Sequence, residues 1–295
     1  MTGTPLAMTV ARDHDFVVSP ACARHRILGA TSWLGGYRRM FYRQDVANLA
    51  AAELDKFRQT MAKSMALSDN RGFIHFAGMH GWPGNLCQHG SPLFLPWHRA
   101  YLYMFEMSLR DITPDVSLPW WDWTSDLAHT SGVPAAYTDP APNPLLASQT
   151  GLSDDLLGQV QQQIPDALDF SVTPPQTVRA PGPPDQLPSA DIIESVLQEA
   201  TFDGFTSRLE DQHNQVHGWV GGSMGIIPLA AFDPVFWAHH CMIDRLWYLW
   251  QLRNPNGGVG SVRLDQALEG FPLTVSQVLD INKLGYEYAT KVNVA

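Results

Sequence analysis

Apolar positions along the chain recur mostly at helical spacing, and few stretches alternate as a strand would. In residues 43 to 66 (RQDVANLAAAELDKFRQTMAKSMA), Val46, Ala50, Leu54, Phe57, Met61 and Met65 follow one another at intervals of three or four, which predicts an amphipathic helix. Residues 99 to 111 (RAYLYMFEMSLRD) follow Pro96 and set Leu102, Phe105 and Leu109 on one face, broadened by Tyr101 and Met104, predicting a second core helix. The helical stretch before it ends at His80, ahead of Gly81 and Pro83. From Asp139 to Pro188 the chain turns rich in Pro, Asp, Gln and Ser (APNP, TPPQT, APGPPDQLP), with one short helical candidate at 152 to 162. This reads as a long surface excursion rather than a linker, because residues able to do chemistry lie on both sides of it. Helical patterning resumes over 190 to 200, breaks across Asp203 to Arg208 and returns over 209 to 220. A final run, 233 to 252 (DPVFWAHHCMIDRLWYLWQL), places Pro234 just inside a helix start after an Asp233 cap. The expected fold class is mainly α, with long loops and few short strands, and residues 1 to 295 read as a single domain.

Composition sharpens that picture. Hydrophobic residues make up 45% of the 295 and charged residues only 16%, against roughly 25% in ordinary soluble domains, so the expected core is large. Nineteen Lys plus Arg against 29 Asp plus Glu give a net charge of −10 with no basic run. A surface that tracks phosphates has no source here, which excludes nucleic acid as an expected partner. No stretch approaches the roughly 20 apolar residues that span a bilayer. The opening MTGTPLAMTVARDHD has neither a basic nor an apolar leader segment. The expectation is a soluble, cytoplasmic protein with no membrane partner. Cys22, Cys87 and Cys241 are too few and too scattered for a disulfide framework. Trp97, Trp120, Trp121, Trp123, Trp237 and Trp247 read as core packing.

The chemistry sits in the histidines. In HNQVH, His213 and His217 lie four apart on a helix, so both rings project from one face about a turn apart and suit a metal ion. The final helix carries His239 and His240, which point roughly 100° apart. His240 lies on the line through Phe236, Asp244 and Trp247 and is the better candidate to face the first pair; His239 then packs or supports. The segment HFAGMHGWPGNLCQHGSPLFLPWHR holds His75, His80, His89 and His98 within 24 residues. His98 opens the helix after Pro96, and His89 lies in a Gly-bounded loop. Two imidazole groups with no carboxylate or thiolate donor in the motifs point to a metal that accepts nitrogen alone, copper before zinc. A zinc hydrolase built on HNQVH lacks the acidic residue that would serve as general base between its histidines.

The strings HGSPLFLPWHR, SLPWWDW, HNQVHGWVGG and DPVFWAHH followed by IDRLW resemble the tyrosinase, catechol oxidase and hemocyanin family of type 3 copper proteins. The resemblance runs over about 40 to 290, from Arg43 to Tyr286 and Tyr288 in GYEY. It implies a four-helix bundle holding two copper ions, the first on His80, His89 and His98, the second on His213, His217 and His240; His75 is the rival to His80. Dioxygen is the implied co-substrate. A monophenol or an o-diphenol is the implied reductant, with an o-quinone as product, and a copper chaperone is a candidate partner. An o-aminophenol oxidase using the same site and a hemocyanin-like dioxygen carrier are the alternatives. A carrier's shielding domain is not expected, because the chain ends shortly after Tyr288.

The resemblance also assigns neighbours of the metals. Glu210 and Asn214 share a helix face with His213 and His217 and are the implied catalytic pair, holding a water that takes the phenol proton. Cys87 in CQH matches the pair that forms a thioether with the histidine, here His89. Substrate rings are expected to stack on His217, beside Gly218, with Ile227 and Pro228 bordering an open mouth. That mouth lacks an evident cationic anchor, which favours a simple phenol, catechol or o-aminophenol over free tyrosine. Asp244, a turn after His240, is expected to accept a hydrogen bond from a ligand imidazole or to cap backbone.

Overall fold

The computed structural model of the chain describes residues 39 to 140 and 142 to 289; Cys22 lies outside them. Strand β1 (Phe41–Arg43) leads to helices α1 (Ala51–Met65), α2 (Phe73–His80) and α3 (Phe94–Ile112). Beyond a loop of short helical turns come α4 (Asp154–Gln163), the strands β2 (Leu168–Asp169) and β3 (Gln176–Thr177), and helices α5 (Ala190–Leu197), α6 (Phe202–Val220) and α7 (Val235–Arg253). Strand β4 (Tyr286–Tyr288) pairs in parallel with β1, Phe41 opposite Tyr286 and Arg43 opposite Tyr288, while β2 runs antiparallel to β3. The fold is mainly helical, as the spacing predicts.

Helices α3 and α7 form its centre. Most residues from Phe94 to Phe105 and from Val235 to Leu246 are buried around the whole circumference, which a helix tolerates only when neighbours cover every side. Helix α3 packs on both α7 and α6, and α6 packs on α7. The Tyr101 hydroxyl donates to the Phe76 carbonyl at 2.7 Å and ties α3 to α2. Trp237 lies 3.9 Å from the Phe105 ring and 4.8 Å from that of Tyr101, and all six tryptophans named above are buried.

Several boundaries differ from the sequence pattern for identifiable reasons. The first helix starts at Ala51 rather than 43, because Arg43 is drawn into β1 and the Asp45 side chain accepts from the Ala47 amide, turning the chain through Val46–Asn48. Helix α3 starts at Phe94, so Pro96 falls in its first turn, where a missing N–H costs nothing, and His98 stands one turn inside the helix. No break separates Asp203 from Arg208. The Thr201 side chain caps α6 at the Gly204 amide, and Phe202, Phe205 and Leu209 bury one continuous stripe. Asp233 does accept from the Val235 amide at 2.9 Å, and it also pairs with Arg179 at 2.6 Å. The Pro-rich excursion includes a capped helix, α4, and a small apolar cluster in which Val160, Ala167 and Leu168 meet Trp82 and Leu229.

A buried polar network fastens the two ends of the described chain to the central helices. Arg43 sends Nε to Glu106 Oε1 at 3.1 Å and Nη1 to Asp244 Oδ2 at 3.1 Å, with its guanidinium 3.8 Å above the Tyr286 ring. Arg110 pairs with Glu106 at 3.0 Å. Arg99 meets Asp244 Oδ1 at 2.5 Å and lies 3.6 Å over the Trp247 ring.

Candidate metal centre

His80 is the last residue of α2 because the chain must leave the helix against the short helical turn Ile227–Ala230. A Cβ built on Gly81 would stand 2.1 Å from the Pro228 carbonyl oxygen, the same atom that accepts from the Trp82 amide at 3.0 Å. Only glycine fits that approach. His89 follows in the irregular segment between α2 and α3, His98 projects from α3, His213 and His217 from α6, and His240 from α7. The six rings gather into two groups. In the first, ring centroids lie 5.4 Å (His80 to His89), 5.5 Å (His80 to His98) and 5.3 Å (His89 to His98) apart. In the second, they lie 4.4 Å (His213 to His217), 4.8 Å (His213 to His240) and 5.4 Å (His217 to His240) apart. The groups abut where His98 stacks on His240 at 4.6 Å and 19°. His75 joins neither and rests against Phe76.

Hydrogen bonds fix which nitrogen of several rings is bare. Nδ1 of His98 donates to the Phe94 carbonyl at 2.8 Å, Nδ1 of His217 to the Met224 carbonyl at 2.8 Å, and Nδ1 of His213 to Asn214 Oδ1 at 3.0 Å. In a neutral imidazole each such bond leaves Nε2 as a lone pair. The Nε2 atoms of His213 and His217 each lie 3.2 Å from Nε2 of His240. A single N–H on His240 serves one of these two lone pairs well at most, whereas one cation takes all three nitrogens, and two nitrogen bonds of about 2.0 Å at a tetrahedral angle have a chord of about 3.3 Å. In the first group, Nε2 of His98 is buried without a hydrogen-bond partner, and the buried His80 ring makes no hydrogen bond of good geometry, with only the Ile227 backbone near it. Orphaned buried donors and acceptors are costly, and a nitrogen-preferring ion is the partner this set fits.

Burial holds every one of these imidazoles neutral. It pushes the pKa of His89 down to about 4, and that of His217 to about 4 against the opposing Met224 carbonyl. The metal-free protein is therefore expected to lose stability as pH falls from about 6.5 to 4. The unfolded chain takes up protons at the ordinary imidazole value, whereas the folded chain takes them up only near the lower one. The slope is at most about 1.4 kcal/mol per pH unit for each ring. Urea midpoints measured across that range on chelator-treated protein check it; a flat profile would contradict it.

Glu210 Oε1 accepts from the Gly90 amide at 2.7 Å, beside His89, and burial raises its pKa from the ordinary value against the opposing Gly90 hydrogen bond. Asn214 is spent through Oδ1 on His213. A Cβ on Gly218 meets nothing within 4 Å, and Ile227 is 53% exposed. Pro228 forms the contact with Gly81 described above. Cys87 offers its sulfur within 4.8 Å of donor nitrogens of His80 and His89, and burial pushes its thiol up to about 12. Asp244 takes neither expected role: its oxygens are filled by Arg43, Arg99, Tyr286 (2.7 Å) and Tyr288 (2.5 Å), because two arginines reach it before any imidazole or helix end does. Sequence reasoning did not anticipate Phe94, 4.9 Å from the His213 ring, nor the backbone acceptors at Phe94 and Met224. Phe236, on the same helix line as His240, lies 4.0 Å from the His240 ring and 4.8 Å from that of His80.

Comparison with known proteins agrees with this geometry. Residues 70 to 253 match the family described as the common central domain of tyrosinase. The chain is similar to a tyrosinase of Streptomyces antibioticus, 35% identical over 247 residues, covering 74% of this chain and 85% of that one. It is also similar to hemocyanin units G and H of Sepia officinalis, 28% identical over 223 residues, covering 71% of this chain and 37% of that one. A functional unit of octopus hemocyanin superposes with a TM-score of 0.70 at 27% identity, over 86% of this chain and 69% of that one.

Proposed function

We propose, from the premise that the chain belongs to the tyrosinase family, that it is a copper-dependent oxidoreductase that oxidises o-diphenols, and hydroxylates monophenols, to o-quinones. The observation that carries the reading is the convergence of Nε2 of His213, His217 and His240, with two of the rings tied at Nδ1. His80, His89 and His98 would hold the first copper, and His213, His217 and His240 the second. Two copper ions bound there supply the two electrons that reduce dioxygen, which one Cu(I) cannot supply alone. Residues 39 to 289 are read as one functional unit, since a single apolar cluster joins β1 and the central helices to β4.

The chain's own residues select and prepare the substrate. The open space over Gly218 and the exposed Ile227 leave room for an aromatic ring to reach the His217 imidazole, with Pro228 at the border. A phenol with a pKa near 10 must lose its proton before its oxygen can coordinate, and a carboxylate raised by burial is a competent acceptor. Glu210 is assigned that role through its second oxygen and a water shared with Asn214. The similarity to hemocyanins favours a dioxygen carrier as the second reading; sustained turnover of catechol or an o-aminophenol under air separates the two.

Glu210→Gln tests the proton route, because the amide oxygen still accepts from Gly90 while the base is gone. Monophenol turnover is expected to fall about 100-fold, the scale of one general base, and diphenol turnover far less. Equal losses would refute the assignment. Cys87 and His89 are proposed to join as a thioether in the copper-loaded protein. The S–C bond replaces one S–H and one C–H, and dioxygen is the two-electron oxidant, taking up the two electrons and two protons as hydrogen peroxide. A mass lower by two hydrogens, with a thiol that resists alkylation, is expected; an unchanged mass after oxygenation would exclude it.

A further inference from the structure

His239 is fully buried in α7, in a run with Phe236, Trp237, Ala238, Cys241 and Met242, and neither of its ring nitrogens makes a hydrogen bond of good geometry, although the His213 backbone carbonyl stands near the ring. A residue that only packs at such a position would be apolar, as those neighbours are, because an imidazole always presents polar nitrogen and burial strips that nitrogen of water. The ring is not surrounded by hydrocarbon. It lies parallel to His213 at 5.2 Å and 17°, edge-on to His217 at 4.8 Å, and 5.2 Å from His240. One donor nitrogen from each of His213, His217, His239 and His240 falls within 4.8 Å of the others. Three imidazoles leave a lone divalent ion short of the fourth donor that tetrahedral or tetragonal coordination asks for.

Resting on the two-metal reading above, we propose that His239 is a fourth nitrogen donor of the second group, holding an ion with His213, His217 and His240 while the pair of sites is incompletely filled. It is a ligand of the partly loaded protein, and it raises the retention of the second ion until the first group is occupied.

The test counts nitrogens. One equivalent of Cu(II) is added to protein carrying His98→Ala, which disables the first group, and nitrogen couplings are read by pulsed electron paramagnetic resonance. Four coordinated ring nitrogens are expected, falling to three when His239→Phe is added. Release of the ion to a chelator is expected to speed up about tenfold in the His239→Phe protein, the scale of losing one supporting group at a metal. Should that variant fail to fold, His239→Asn takes its place, and the count in protein retaining His239 still decides. Three nitrogens with His239 present, together with unchanged release, overturn the proposal and leave the two-metal reading standing. Failure of the unaltered protein to take up two equivalents of copper overturns both.

Discussion

Copper-loaded protein carrying His217→Ala is expected to hold one tightly bound ion per chain instead of two and to lose catechol turnover by more than about a hundredfold. The ring donates from Nδ1 to the Met224 carbonyl at 2.8 Å and presents Nε2 at 3.2 Å from that of His240. Its removal deletes a donor whose direction is already fixed. Loss of a group that merely supports a ligand costs about 10 to 100-fold in metal affinity, so loss of a pre-aimed donor exceeds that range. A single remaining copper cannot deliver two electrons to dioxygen, and activity falls with occupancy rather than in proportion to affinity. His75→Ala is the matched control, since that ring stands outside both groups, and it should leave both stoichiometry and turnover alone. Metal analysis after dialysis and oxygen uptake with catechol check the pair. Two retained ions with normal turnover in His217→Ala would contradict the assignment of the second group.

The helical class and most of the imidazole cluster were legible in the sequence because both follow from periodicity. Spacing of four puts His213 and His217 on one face, and the line from Phe236 to His240 picks out one ring that turns toward them, but the expectation that His239 would turn away fails: its ring stands as near the pair as that of His240 does. His89 has no such rule. It sits in an irregular segment, and only the motif around it indicated where that segment comes to rest. The false break at Asp203 to Arg208 shows the opposite failure: Gly204 and polar neighbours suggest a loop, but in the first turn of α6 a glycine's freedom and a threonine cap cost little, and Phe202, Phe205 and Leu209 decide the matter by burial. Asp244 was misassigned for a related reason. Its position a turn beyond His240 is visible in the sequence, whereas Arg43 and Arg99 reach it from residues 201 and 145 positions away, and no local pattern encodes such pairings. Arg43, Tyr286 and Tyr288 stood out as landmarks of the family without a stated physical role; the network around Asp244 supplies one.

That network carries the largest expected effect on stability. Asp244→Ala removes the carboxylate that faces both Arg43 and Arg99, while Glu106 remains to serve Arg43 and Arg110. Arg43 then shares the one carboxylate of Glu106 with Arg110, and Arg99 keeps only Gln251 and the backbone carbonyls of residue 244, Val278 and Leu279 as acceptors. Breaking a buried ion pair from one side costs about 3 to 5 kcal/mol, out of the roughly 5 to 15 kcal/mol that holds a typical domain folded. The variant should unfold at a much lower urea concentration, and Asp244→Asn, which keeps an acceptor for one guanidinium, should fall between it and the unaltered protein. The pH dependence has the sign of a depressed carboxylate. Burial raises the Asp244 pKa, but Arg99, Arg43 and the Tyr288 hydroxyl outweigh burial and hold it below its ordinary value. Its contribution is therefore present above that value and is lost as pH falls through the folded one, so the stability gap between the unaltered protein and Asp244→Ala should narrow at acid pH. Because Arg99 follows His98 and Asp244 lies one turn beyond His240, the same ion pair sets α3 against α7 where the two imidazole groups abut. Copper retention should weaken in Asp244→Ala along with the urea midpoint. A variant that melted early yet held both ions as tightly as before would separate the network from the metal centre and contradict this coupling.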